Sequence, residues 1–208
     1  MTFDHRHTFL EYVFGGCEIQ LTVALDFTLS NGNPAHRDSL HYLDLNRNEY
    51  LKAIRSVGDI LQYYDSDKKI PTLGFGACIP PSHNKASHCF ALNGDIFDPE
   101  CDGLDGVISA YKNALNNVNL YGPTNFAPII ELVADMAEEE RVTQQHQKYF
   151  ILLIITDGII NDMQKTIDQI VRGSTLPLSI IIVGVGSDEF TSMDTLDADE
   201  TPLFSTRY

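Results

Sequence analysis

Two carboxylates and three hydroxyls stand where chemistry is possible. Asp26, Thr28 and Ser30 occupy alternate positions just past an apolar run, Thr124 sits in Gly122-Pro-Thr-Asn125, and Asp157 follows a second apolar run. In extended backbone, residues i, i+2 and i+4 point the same way. Asp26, Thr28 and Ser30 can then face one point. Oxygen donors with no Lys, His or Cys among them form a hard set, suited to Mg2+ or Mn2+ with waters retained. The plainer reading is that Asp, Ser and Thr cap helices and build turns. Thr124-Asn125 in particular could cap a helix from Phe126, with Pro128 tolerated in its first turn.

The elements that must position these residues alternate between apolar runs and helix-periodic stretches. Glu18–Leu25, Ile70–Phe75, Ser87–Leu92, Tyr149–Thr156 and Leu178–Val185 read as strands. Tyr149–Thr156 and Leu178–Val185 are almost wholly apolar, as in strands covered on both faces. Ile70–Phe75 and Ser87–Leu92 flank Pro80-Pro-Ser-His-Asn84 and are expected to form a hairpin, Ser87–Leu92 being the antiparallel edge. Helices are expected over Glu49–Tyr64, Asp105–Val118, Phe126–Arg141, Asp162–Val171 and Asp188–Leu196, from apolar residues at helical spacing. Leu203–Arg207 is expected to add a sixth strand. Asn31–Asn46 is polar and turn-rich and reads as a loop. The pattern is α/β: a doubly wound, mostly parallel sheet with helices on both faces. Ligands of such sheets bind beyond the carboxyl ends of the strands, where the five residues lie.

The chain has 208 residues and a 43% apolar fraction, enough for one packed domain spanning 1–208. Its net charge of −15 opposes phosphate backbones and anionic lipid, and favours cations or basic partner surfaces. No apolar run is long enough to span a bilayer, and the first residues lack the apolar stretch of a signal peptide. Cys17, Cys78, Cys89 and Cys101 lack metal-site spacing and read as free thiols in a reducing, cytoplasmic setting.

Other candidates read as structure. Asp98-Pro-Glu-Cys-Asp-Gly103 imitates the opening of an EF-hand loop, but its twelfth position would be Ser109 instead of the bidentate Glu. Asp65-Ser-Asp67 reads as a solvated turn. The seven histidines are scattered through polar surroundings, none beside a nucleophile.

The set Asp26-x-Thr28-x-Ser30, Thr124 and Asp157 resembles the metal-ion-dependent adhesion site (MIDAS) of von Willebrand factor A domains. Longer stretches look specifically like the copine A domain: Ala24–Pro34, Tyr63–Lys68, Leu73–Gly76, Leu120–Pro128, Leu153–Gly158 and Ser179–Gly186. The resemblance runs from about Phe9 to Leu196. It implies the doubly wound von Willebrand factor A fold, with a core of about 9–196. It also implies that Thr28, Ser30 and Thr124 offer hydroxyls to Mg2+ or Mn2+, while Asp26 and Asp157 act directly or through water. Thr28 departs from the usual Ser, keeping the oxygen and adding a methyl.

The resemblance implies a non-enzymatic module that recruits target proteins, a partner's Asp or Glu filling the open metal position. Copines bind phospholipid in a calcium-dependent way through C2 domains, and none is found in these 208 residues. No direct membrane or nucleic-acid binding is therefore expected of them. The alternative is a haloacid-dehalogenase-like phosphoryl-transfer enzyme with Asp26 as nucleophile, since Asp157-Gly-Ile-Ile-Asn-Asp162 resembles a later loop of that family. Phosphoryl transfer needs cationic stabilisation, and no Lys or Arg stands at a matching junction.

Overall fold

The computed structural model describes residues 8–44, 46–61, 64–65, 67–81, 84–198 and 201–207. Its centre is β1 (Glu18–Asp26), flanked on one side by β2 (Lys69–Phe75) and on the other by β8 (Lys148–Thr156). β9 (Leu178–Gly184) lies outside β8, and all four strands are parallel. Two short strands pair antiparallel with the outer side of β2: β5 (Phe90–Ala91) and β6 (Glu100–Asp102). The sheet is thus mixed and mostly parallel, with an antiparallel edge. A second small sheet joins β3 (Ala77–Cys78) to β4 (Ala86–Ser87) and β7 (Asn119–Leu120). The stretch expected as one strand from Ser87 to Leu92 is therefore divided between two sheets.

Helices cover both faces because β1 and β8 carry apolar residues on both. Leu21, Val23, Leu25, Leu153 and Ile155 pack against α2 (Glu49–Leu61) and α3 (Gly103–Asn117). Ala24, Leu152 and Ile154 face α4 (Ala127–Glu139), with α5 (Met163–Gly173) and α6 (Thr191–Asp197) on the same side. Leu153 is fully buried, and truncating such a side chain to Ala typically costs about 2–5 kcal/mol. A short helix, α1 (Phe9–Phe14), precedes β1 and begins with a Thr8–Glu11 capping box.

Several expectations are corrected. β9 is half-buried along its length, because it lies at the end of the strand order with β8 as its partner among the described residues. Leu203–Arg207 is irregular and forms no strand. Asp168 on α5 holds it instead, accepting the Thr206 N–H at 2.8 Å and the Ser205 hydroxyl at 3.0 Å. Asp65 is buried, its carboxylate accepting the N–H groups of Leu21 (3.0 Å) and Lys68 (2.9 Å). His41 is fully buried among Phe27, Tyr50 and Tyr111. His5, His7, Ser66 and His83 lie outside the described residues, as do Gln62 and Tyr63 at the expected end of α2. No described helix is long and apolar enough to cross a membrane.

Candidate functional site

The chain runs outward from β1 to β2, then returns to the other side of β1 as β8. That reversal opens a crevice beyond the carboxyl ends of β1 and β8. Asp26 ends β1 and Asp157 follows β8 directly, so the fold sets the two carboxylates side by side. Both are buried.

Asp26 is oriented through both oxygens. Its Oδ1 accepts the Thr28 N–H (2.8 Å) and the Thr28 hydroxyl (2.6 Å), and its Oδ2 accepts the Thr156 hydroxyl (2.7 Å). The backbone stays extended only as far as Thr28. Ser30 lies in a 3-10 turn, Leu29–Asn31, and that turn rather than an extended chain brings its hydroxyl to 2.9 Å from Thr28 Oγ1. Gly76 makes room for Thr28. It has φ +79°, and a Cβ there would lie 2.3 Å from the Thr28 methyl.

Thr124 enters from a third loop. Tyr121 bridges to Thr28, and the Leu29 N–H donates to the Tyr121 carbonyl at 2.7 Å. Asn161, just past Asp157, clamps the far end. Its Oδ1 accepts the Thr124 N–H and its own N–H donates to the Thr124 carbonyl, both at 2.8 Å. Asp162 caps α4 from across the crevice, accepting the Phe126 and Ala127 N–H groups at 3.0 Å each. Thr124 and Asn125 therefore do not cap this helix. Asp26, Thr28, Ser30 and Asp157 form one interacting group. Thr124 is placed beside it by backbone bonds. Asn161 and Asp162 were not singled out as positioning residues from the sequence. Their role depends on a contact between loops far apart in the chain.

Burial pushes the Asp26 carboxyl up to about 6, with the Asp157 charge adding to the rise against the bonds from Thr156 and Thr28. Asp157 is also raised, first by burial, and Asp188 adds to it while Ser30 opposes. Among the described residues no Lys, Arg or His is hydrogen-bonded or ion-paired to either carboxylate. No three His, Cys, Asp or Glu side chains cluster as a metal cage among them either. The donor set here is instead two carboxylates with hydroxyls, all hard oxygens, which fits a small divalent cation with waters completing its shell. A cavity of about 370 Å³ opens beside Ser30 and Asp157, lined also by His36, Asp38 and Asp188. A larger apolar cleft of about 550 Å³ lies at the other end of the sheet, between α1 and Tyr149.

The fold is that of a von Willebrand factor A-like domain. It matches the manganese-loaded TRAP protein of Plasmodium vivax with a TM-score of 0.55 at 12% identity, over 91% of this chain and 65% of that one. Weaker matches include proximal thread matrix protein 1 of the mussel byssus, at 16% identity and a TM-score of 0.43, over 82% of this chain and 39% of that one. A structure of the same mussel protein with a zinc-occupied MIDAS motif gives 14% identity and 0.44, with the same coverages. This chain thus spans less than two thirds of each solved chain. Residues 39–207 match the copine family, and the chain belongs to it. Thr124 and Asp157 lie inside the matched span, whereas Asp26, Thr28 and Ser30 precede it.

Proposed function

We propose that this copine A-like domain is a divalent-cation-dependent protein-binding module, with Asp26, Thr28, Ser30, Thr124 and Asp157 holding Mg2+ or Mn2+. The observation that carries the reading is the pair of buried, adjacent carboxylates with raised pKa values and, among the described residues, no hydrogen-bonded or ion-paired cation to balance them. A divalent ion neutralises both. The manganese carried by the TRAP protein, which has the same fold, is in keeping with this choice. When bound, the ion supplies a Lewis-acidic position for an incoming carboxylate. The residues of this chain orient the oxygens: Thr156 and Thr28 fix Asp26, the 3-10 turn delivers Ser30, and Asn161 sets Thr124.

Exposed apolar side chains on each of the three loops support protein binding. Leu29 is 63% exposed, Tyr121 52% and Ile159 55%. A partner Asp or Glu flanked by apolar residues suits this rim, while Asp38 and Asp188, which line the cavity beside Ser30 and Asp157, suit a basic residue. Turnover is not part of the proposal. Asp26 is fully buried with both oxygens engaged, which suits a ligand better than a phosphoryl-accepting nucleophile.

In this proposal residues 1–208 form one unit that recruits target proteins in the cytoplasm and binds neither lipid nor nucleic acid directly. The test is a binding screen with acidic peptides in Mn2+, repeated in chelator. Binding should need both the metal and the peptide carboxylate. Metal-independent binding, hydrolysis of a generic phosphomonoester, or co-sedimentation with phosphatidylserine vesicles would each overturn part of it.

A further inference from the structure

The turn after Thr28 contains a buried polar side chain, Asn31. It is only 1% exposed, and its amide points back at Thr28. Its Nδ2 lies 3.2 Å from both the Thr28 carbonyl and Thr28 Oγ1. On the other side, Tyr50 from α2 meets Asn31 Oδ1 at 2.6 Å. A carbonyl oxygen can only accept, so the Asn31 atom facing it must be the nitrogen. The Tyr50 hydroxyl then donates to the amide oxygen and locks that orientation. Tyr50 is itself fully buried and stacked on His41, ring centroids 4.3 Å apart.

The consequence falls on one oxygen. A threonine hydroxyl has one proton and two lone pairs. The Thr28 proton goes to Asp26 Oδ1, and Asn31 Nδ2 takes one lone pair. A single lone pair is left, on the side where Ser30 Oγ lies at 2.9 Å. We infer that Tyr50 and Asn31 are positioning residues that aim the remaining Thr28 lone pair at the cation. The metal would replace the Thr28–Ser30 contact without turning the Thr28 hydroxyl. The inference rests on the metal reading above and adds to it two residues outside the five-residue set.

The experiment measures Mn2+ affinity of the full chain by calorimetry, alongside the melting temperature in chelator. Asn31→Ala and Tyr50→Phe should weaken Mn2+ by roughly 10- to 100-fold, the range usual for residues that orient metal ligands. Ser39→Ala provides the structural control. The Ser39 hydroxyl bonds the Asn31 and Gly32 carbonyls and holds the same turn without touching Thr28 Oγ1. It should lower the melting temperature and leave the affinity within about threefold, the usual scatter for a site not coupled to the ligand.

A double-mutant cycle settles the matter. In a Thr28→Ala background, adding Asn31→Ala should cost no further affinity, because the oxygen it orients is gone. If Ser39→Ala weakens Mn2+ as much as Asn31→Ala, or if Asn31→Ala costs the same with Thr28 absent, the turn is scaffolding and the inference fails. If the parent binds no Mn2+, or Thr28→Ala binds like the parent, the metal reading itself fails, a different result from either of these.

Discussion

Asp26 and Asp168 are both nearly inaccessible aspartates that accept several hydrogen bonds, yet they sit in opposite electrostatic states. Asp168 is held below the usual carboxylate range, chiefly by the Thr206 N–H and then by Gln164, Ser205 and Thr206 side chains. Arg207 lies 3.7 Å away. Asp26 accepts a backbone N–H and two hydroxyls but is raised to about 6, because there the burial penalty outweighs those bonds and Asp157 beside it adds to the rise. Hydrogen bonds alone therefore do not decide the charge balance of a buried carboxylate. Asp168 is a completed structural contact that fastens the segment 203–207 to α5. Asp26 has its geometry fixed by hydrogen bonds and no cation paired with it among the described residues, which is the state the proposed metal site requires.

The largest expected effect tests that contrast directly. Asp26→Ala should abolish the rise in melting temperature produced by Mn2+ or Mg2+, while Asp168→Ala should keep it. An Asp168→Ala protein that also loses the metal response would erase the distinction.

A second test uses pH in chelator. A carboxylate raised from 3.8 to about 6 by folding destabilises the folded state once it ionises. With the pKa raised, the folded state holds the proton more tightly, so stability falls as pH climbs from about 4 to about 6. The cost is full above that, on the order of 3 kcal/mol at about 1.4 kcal/mol per unit. Asp26→Asn should flatten this fall. Asp168 runs the other way: its contribution is present above the unfolded pKa and fades as pH drops through the folded one. Chemical denaturation between pH 3 and 8 separates the two, and a fall in stability unchanged by Asp26→Asn would contradict the assignment.

Gly76→Ala should cost about 1–3 kcal/mol from its left-handed backbone, and its new methyl would displace Thr28, weakening Mn2+ as well. Denaturant titration and calorimetry on that variant read both effects. Thr28→Ser should change Mn2+ affinity by less than about tenfold, since the oxygen stays and only the methyl against Gly76 is lost. Asp98→Ala, in the loop that imitates a calcium site, should leave the metal response unaltered. A lost response there would move the site to the wrong loop.

The sheet was legible because β1 and β8 are buried on both faces and leave near-continuous apolar runs such as Phe150–Ile155. The same cue misled at β9, where Leu178–Val185 is as apolar as an inner strand but lies at the end of the strand order. The clustering of Asp26, Thr28 and Ser30 was readable because they share one short segment. The polar stretch Asn31–Asn46 was not, because the burial of Asn31, Ser39 and His41 depends on packing by α2 and α3. Asp65 and Asp162 escaped for a related reason: each satisfies backbone N–H groups of a distant segment, and no local pattern records that.

The most direct measurement is a Mn2+ titration of chelator-stripped protein, following free Mn2+ by electron paramagnetic resonance. The account predicts one Mn2+ per chain for the parent, and loss of that binding in Asp26→Ala with the fold retained by circular dichroism. No bound Mn2+ in the parent, or the same stoichiometry and affinity in Asp26→Ala, would contradict it.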